Sequence, residues 1–266
     1  MGELRLNYER AGAGPTVVLL HAGVGDLRMW DPQFEEFARF YDVVRFDFSG
    51  FGTSPVPTGP YSFLGDLKTV MDELDVERAA LVGESMGAHV ALEAAVAIPE
   101  RVAAIVAAAP VLVPGEPSPE RAAFSIAEEE AVERNDLEAA TNLNLATWVA
   151  GPTRSLEDFD PDLHAQLFGM QLTAFKNWHA ADPDLPYEAL DPPVKERVAD
   201  IAAPVLAIWP TLDMPDAKAS TEWIAATAPG ARLAVIEDAA HIVNMEKPAE
   251  FNEVVLGFLA EVWPPN

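Results

Sequence analysis

The sequence predicts an α/β protein built on a mainly parallel sheet, and three observations carry that prediction. Short, wholly apolar, β-branched runs recur along the chain, helical patterns fall between them, and the runs end at small or charged residues. Apolar runs without alternation are what strands covered on both faces look like. Strand and helix in alternation give right-handed crossovers and a parallel sheet.

Taken in order, Leu4 to Arg10 alternates apolar and polar residues and suits an antiparallel edge strand. Val17 to Leu20 is the first fully apolar run and ends at His21-Ala22-Gly23. A helix is expected over Pro32 to Arg39, opened by Asp31-Pro32, because proline suits the first helical turn. Val43 to Phe46 ends at Asp47, Phe63 to Leu74 reads as a helix, and Ala79 to Val82 ends at Gly83. A helix over Met86 to Ile98 and a fourth run, Val102 to Ala107, follow.

The alternation then breaks between about Pro114 and Arg197. A proline-rich link, Val113 to Pro119, leads into helical patterns at Glu120 to Asn135, Leu137 to Val149 and Leu163 to Ala180. A second proline-rich link runs from Pro183 to Pro193. Val205 to Trp209, a helix over Ala217 to Ala228, Leu233 to Ile236 and a helix over Pro248 to Val262 resume the pattern. The expected organisation is a core of residues 1–113 and 198–266, with a helical cap of 114–197 inserted between two strands. Such an insertion lies over the carboxyl ends of the strands, where open α/β sheets bind ligands.

Bulk properties narrow the partners. A chain of 266 residues, half of them hydrophobic, can bury a large core. Apolar stretches such as Val102 to Val113 fall short of the roughly 18 residues a membrane span needs. The opening Met-Gly-Glu-Leu-Arg has no basic region followed by an apolar one, so a cytoplasmic protein is expected. With no cysteine there is no disulfide, no thiolate nucleophile and no cysteine-ligated metal. The formal charge of −26 repels nucleic acid and anionic membrane and argues against strongly anionic substrates. It fits high solubility or adaptation to salt. The expected partner is a small molecule, with no nucleic acid and no membrane, and a homodimer is compatible with the sequence.

Gly83-Glu84-Ser85-Met86-Gly87 has the form Gly-x-Ser-x-Gly, directly after one apolar run and directly before a helix. That context holds a serine on a sharp turn, with glycines where strand and helix backbones approach. A serine hydroxyl needs a base. Of the five histidines, His241 lies in a polar loop after the last strand and before the last helix, at the carboxyl edge of the sheet. His164 and His179 read as exposed residues of the cap, His89 as packed against the sheet, and His21 as a brace for its loop.

The imidazole in turn needs a carboxylate. Asp213 follows Val205 to Trp209 and gives the chain order Ser, Asp, His; Asp216 competes, and distance from the strand end favours Asp213. For the oxyanion, one N–H would come from Met86 and a second from Gly23, with Val24 next in line.

With these residues placed, the chain resembles the α/β-hydrolase superfamily over nearly its whole length, and within it the 3-oxoadipate enol-lactonase-like group. The segments are His21 to Gln33, Arg45 to Ser54, the serine turn, Trp148 to Arg154, and Ala240 to Pro248. The resemblance implies a Ser-His-Asp enzyme under a helical cap with no cofactor and no metal. Pro210 stands where members usually have glycine, and Ser49 where arginine is common.

The expected function is hydrolysis of a small to medium, mostly neutral ester or lactone. C–C cleavage, perhydrolysis or a non-hydrolytic step with the same triad, and a ligand receptor on a hydrolase scaffold, are the alternatives. The cap offers Trp148, Phe159, Phe168, Met170, Phe175 and Trp178, mostly as its own core. Val24, Trp148, Phe168, Phe175 and Trp178 are the expected pocket residues, and Arg154 and Lys176 would receive a carboxylate from a muconolactone-like acid.

Overall fold

Serine 85 stands at the centre of a seven-stranded sheet because its strand has three strands on either side. The computed structural model describes residues 5–112 and 115–265. Its strands are β1 (Tyr8–Gly12), β2 (Thr16–Leu20), β3 (Asp42–Phe46), β4 (Ala79–Glu84), β5 (Val102–Ala108), β6 (Val205–Pro210) and β7 (Arg232–Ile236), in the order β1-β3-β2-β4-β5-β6-β7. All neighbours pair in parallel except β1, which runs antiparallel to β3 with Tyr8 opposite Phe46.

The helices of the frame are α1 (Asp31–Ala38), α2 (Phe63–Glu73) and α3 (Met86–Ala97) before β5. Successive side chains of the buried strands divide between two cores. Val18, Leu20, Val44, Phe46, Leu81 and Ile105 meet α2 and α3 through Leu67, Val70 and Ala91. Val17, Leu19, Val43, Val82, Val106 and Ile208 meet Phe37 of α1 and Phe251, Val255 and Leu259 of the C-terminal helix. This two-faced burial is why those runs show no alternation in sequence.

The two edges differ from the centre. β1 starts at Tyr8, later than expected, and Leu4 lies outside the described residues. Leu233 and Val235 of β7 are exposed, so this apolar run is not covered on both faces. β7 is the terminal strand, and the face these two side chains share is left open.

Between β5 and β6 come α4 (Pro119–Glu133), α5 (Leu137–Asn144) and α6 (Pro161–His179). Val113 and Pro114, the start of the first link and the expected domain boundary, lie outside the described residues. The expected single helix Leu137 to Val149 is interrupted: α5 ends at Asn144 and the chain continues as a π-helical turn, Leu145–Ala150. After β6 come α7 (Pro215–Thr227), then, beyond β7, α8 (Val243–Glu246) and α9 (Pro248–Val262). Among the described residues, no helix is long and apolar enough to cross a membrane.

Candidate active site

The turn between β4 and α3 is made by steric necessity. Ser85 takes φ 54° and ψ −112°, a left-handed conformation costly for a residue with a side chain. A Cβ on Gly83 would lie 2.3 Å from the backbone of Gly87, and one on Gly87 would lie 2.0 Å from the Leu20 carbonyl oxygen. The turn is pinned by the Ser85 N–H, which donates to the Ala108 carbonyl at 2.9 Å.

His241 and Asp213 meet this serine. His241 Nε2 lies 2.6 Å from Ser85 Oγ, and His241 Nδ1 lies 2.8 Å from Asp213 Oδ2. The other Asp213 oxygen accepts from the Met214 N–H at 2.7 Å. Both the histidine and the aspartate are buried. Pro210 does not disturb the acid's loop, since its carbonyl accepts from the Asp213 N–H at 3.3 Å.

The loop bearing His241 is tied down from three sides. Glu84 Oε1 accepts from the Val243 N–H at 2.7 Å, so the serine turn holds the histidine loop directly. Burial pushes the Glu84 carboxyl well above its ordinary value, against the pull of that bond. Glu246 accepts from the Ala240 N–H at 2.9 Å and pairs with Arg154 at 2.7 Å. The Trp148 carbonyl accepts from the His241 N–H at 3.3 Å, and the Trp148 ring lies 4.7 Å from the imidazole.

Met86 and Gly23 also come together. A Cβ built on Gly23 would sit 3.9 Å from Met86 Sδ, and both residues face the same cavity as Ser85 and His241. Met86 opens α3, where first-turn amides have no intrahelical acceptor. His21 braces the neighbouring loop as expected: its Nδ1–H donates to the Ala22 carbonyl at 2.8 Å, and Nε2 accepts from the Phe48 N–H at 3.0 Å. Burial pushes its pKa down, which keeps this neutral form. Ser49, where an arginine was the common residue, ties its loop to Asp66 through its N–H at 2.8 Å and its hydroxyl at 2.9 Å.

The cavity has a volume of about 650 Å³. Of the expected pocket residues, Val24 and Trp148 line it; Phe168, Phe175 and Trp178 do not. Phe168 packs onto the core, and Phe175 is half-buried outside the cavity lining. Trp178 covers the loop after β3, where a Cβ on Gly50 would lie 2.5 Å from its ring, and it stacks near Tyr61 at 5.1 Å. Arg154 is held by Glu246, by the Val149 and Ala150 carbonyls and over the Phe159 ring, and Lys176 is exposed outside the cavity. Neither is placed to receive a carboxylate there.

Two other expectations need correction. His89 does not pack against the sheet; it lines the cavity one turn beyond Ser85, 3.4 Å from Glu93. His164 is half-buried, its Nε2 without a partner, and only His179 of the two cap histidines is exposed. Asp216 does not reach the histidine; it accepts from the Ser118 N–H at 3.1 Å and lies 3.5 Å from Arg121, tying α7 to α4.

Sequence reasoning missed the polar wall of the cavity: Glu93, Arg121, Glu128, Asn144, Gln171 and Tyr187. His89 and Glu93 had a signal, since they follow Ser85 at helical spacing. The others depend on how α4, α5 and α6 lie against one another, and no local pattern carries that.

The comparisons bear on the fold and the family. Residues 15–248 match the family described as the alpha/beta hydrolase fold. A protein of Azorhizobium caulinodans provisionally named carbamate hydrolase RutD is 30% identical, over 98% of this chain and 97% of its own. The 3-oxoadipate enol-lactonase 2 of Acinetobacter baylyi is 26% identical, over 95% and 92%. The crystal structure of the enol-lactonase from Burkholderia xenovorans LB400 covers 96% of each chain with a TM-score of 0.78 at 24% identity, a likeness of fold. With its sheet order, its strand-turn-helix serine and this match across most of its length, the chain belongs to the α/β-hydrolase family.

Proposed function

We propose that this hydrolase works through Ser85, His241 and Asp213 and cleaves a small to medium, mostly neutral carboxylic ester or lactone by way of an acyl-enzyme. One observation carries the reading: the unbroken relay from Asp213 through His241 to Ser85, at 2.8 and 2.6 Å, opens on the 650 Å³ cavity. The similarity to proteins named as lactonases supports the substrate class.

In this reading Ser85 Oγ attacks the carbonyl carbon while His241 Nε2 takes its proton. Asp213 holds the imidazole by Nδ1–H and stabilises the cation. Charge builds on the former carbonyl oxygen, and the N–H groups of Gly23 and Met86 receive it, the latter at the positive end of α3. The tetrahedral intermediate collapses, the alkoxide leaves with the proton from His241, and an acyl group remains on Ser85. Water, deprotonated by His241, then releases the acid and restores the serine. Residues 114–197 act as the cap that encloses this site, and Trp148 sets its wall beside the imidazole.

The test is a p-nitrophenyl ester series from acetate to octanoate together with simple γ- and δ-lactones, on wild type and Ser85→Ala. Turnover that peaks at one chain length and is lost in Ser85→Ala supports the reading. Folded wild-type protein that turns over none of these substrates contradicts it.

A further inference from the structure

One segment of the insertion reaches the catalytic histidine, and its contacts converge on the triad. α5 ends at Asn144 and the chain continues as the π-helical turn Leu145–Ala150. Such wide turns are rare and cluster at functional sites. Leu145 and Val149 anchor the turn in the core, while Trp148 is half-buried and lines the cavity. The last three carbonyls of the turn bond outside it. That of Trp148 accepts from the His241 N–H at 3.3 Å, and those of Val149 and Ala150 accept from Arg154 at 3.1 and 2.9 Å. Gly151 follows with φ 75°, where a Cβ would lie 2.3 Å from the Leu212 carbonyl oxygen and 3.3 Å from Ala240 Cβ. The turn is thereby wedged between the loop of the acid and the loop of the base.

The Trp148 ring centroid lies 4.7 Å from that of the His241 imidazole, with the planes inclined at 39°. Phe124 of α4 meets the indole at 5.6 Å and 83°, a contact that holds the ring's orientation. His241 is 2% exposed, so its ring is cut off from bulk water. The face of an aromatic ring is negative, and an indole attracts a cation within about 6 Å of its centroid, more strongly where water is excluded. A neutral imidazole gains little from that face. The imidazolium formed when Nε2 takes the serine proton gains most.

From this geometry we propose that Trp148 is a positioning residue of the reaction: the inserted turn carries its indole to the imidazole, where it stabilises the imidazolium of the transition state. This role rests on the serine-hydrolase reading above and adds a residue to its machinery. The interaction strengthens only as charge moves onto the imidazole, so it raises kcat more than it tightens substrate binding. Asp213 and Trp148 act on different parts of the same cation. The carboxylate receives the Nδ1–H at 2.8 Å, and the indole lies against the ring. His241 takes a proton from Ser85 in acylation and from water in deacylation, and Trp148 serves both steps. An aliphatic side chain at this position would fill the space without the attraction.

The experiment replaces Trp148 by mono-, di- and trifluorinated tryptophan through nonsense suppression at this one codon. Fluorine withdraws electron density from the ring face and changes its volume little, so the fold is kept while the attraction weakens. The quantities read are kcat and KM for a p-nitrophenyl ester and the rate of fluorophosphonate labelling at Ser85. Both kcat and the labelling rate are expected to fall with each fluorine, by about tenfold over the series, with KM little changed. Trp148→Phe keeps an aromatic face and is expected to retain several-fold more kcat than Trp148→Leu, each variant checked for folding by its thermal midpoint. Rates that stay level across the fluorinated series, a change confined to KM, or equal kcat in the Phe and Leu variants overturns the proposal, while labelling of Ser85 keeps the hydrolase reading standing. No labelling of Ser85 in folded wild-type protein overturns both.

Discussion

The two ends of the cavity are built on opposite terms. At the sheet end nearly every polar group has a protein partner: Ser85, His241 and Asp213 satisfy one another, and Glu246, Arg154 and the Trp148 carbonyl hold the histidine loop. Glu84 Oε2, Trp209 Nε1 and Asn244 Oδ1 are exceptions there among the described residues. Among the described residues of the insertion, Gln171 Oε1 and His164 Nε2 are buried without partners. The first arrangement fixes a reaction geometry before any ligand arrives, which is what pre-organised catalysis needs. The second leaves polar atoms enclosed among the inserted helices without a protein partner. In the proposed reading the chemistry sits on the sheet, and the insertion supplies part of the polar wall of the cavity.

The largest effect that would break this contrast is at the acid. Asp213→Asn keeps the shape of the relay but supplies an amide where the Nδ1–H needs an acceptor. The expected result is a fall in kcat of about 10⁴ with an unchanged unfolding midpoint, read from ester kinetics and urea titration. Little loss of rate would show that the sheet end is not the seat of catalysis.

Next comes the turn that presents the serine. Gly87→Ala puts a Cβ 2.0 Å from the Leu20 oxygen, which is backbone of the neighbouring strand and cannot yield. A loss of about 3 kcal/mol or more in unfolding free energy is expected, with activity lost as well. Wild-type stability in that variant would mean the strand and helix are not packed this closely.

Arg154 tests the link between the two ends. Arg154→Ala frees Glu246, which also holds the Ala240 N–H beside His241. The expected result is a ten- to hundredfold fall in kcat, about the effect of a misplaced catalytic group, with a smaller change in KM. A change in KM alone would assign Arg154 to substrate binding instead.

The smallest effect concerns His21, which is buried and neutral. Its folded pKa lies below the ordinary 6.5, so below that value the unfolded chain binds the proton more readily than the folded one. The stability His21 contributes is present above pH 6.5 and lost as pH falls toward its depressed folded pKa. Unfolding free energies of wild type and His21→Gln, compared at pH 8 and pH 5.5, should show wild type losing more on acidification. Parallel losses would contradict this.

The same contrast governs what could be read from the sequence. The contact of Ser85, His241 and Asp213 was legible because each sits at a fixed place after a strand, and the strands announce themselves as apolar runs. Ser85 follows β4, Asp213 follows β6 and His241 follows β7, so knowing the strands locates the residues. The polar wall of the cavity was not legible. Asn144, Gln171 and Glu128 look like solvated helix positions until α4, α5 and α6 are packed, while the aromatic candidates Phe168 and Trp178 turned out to serve the core and the Gly50 loop. The π-helical turn Leu145–Ala150, which carries Trp148 to the imidazole, left no mark in hydrophobic periodicity. The open face of β7 was missed for a related reason: apolar runs tell which residues can be buried, not whether anything covers them.

The central claim is that Ser85 is an activated nucleophile. Its most direct test is labelling of the folded protein with a fluorophosphonate, followed by peptide mapping, in wild type, Ser85→Ala and His241→Gln. The account predicts one adduct on Ser85 in wild type, none in Ser85→Ala and much slower labelling in His241→Gln. No adduct on folded wild-type protein, or an adduct at another serine that persists in Ser85→Ala, would contradict it.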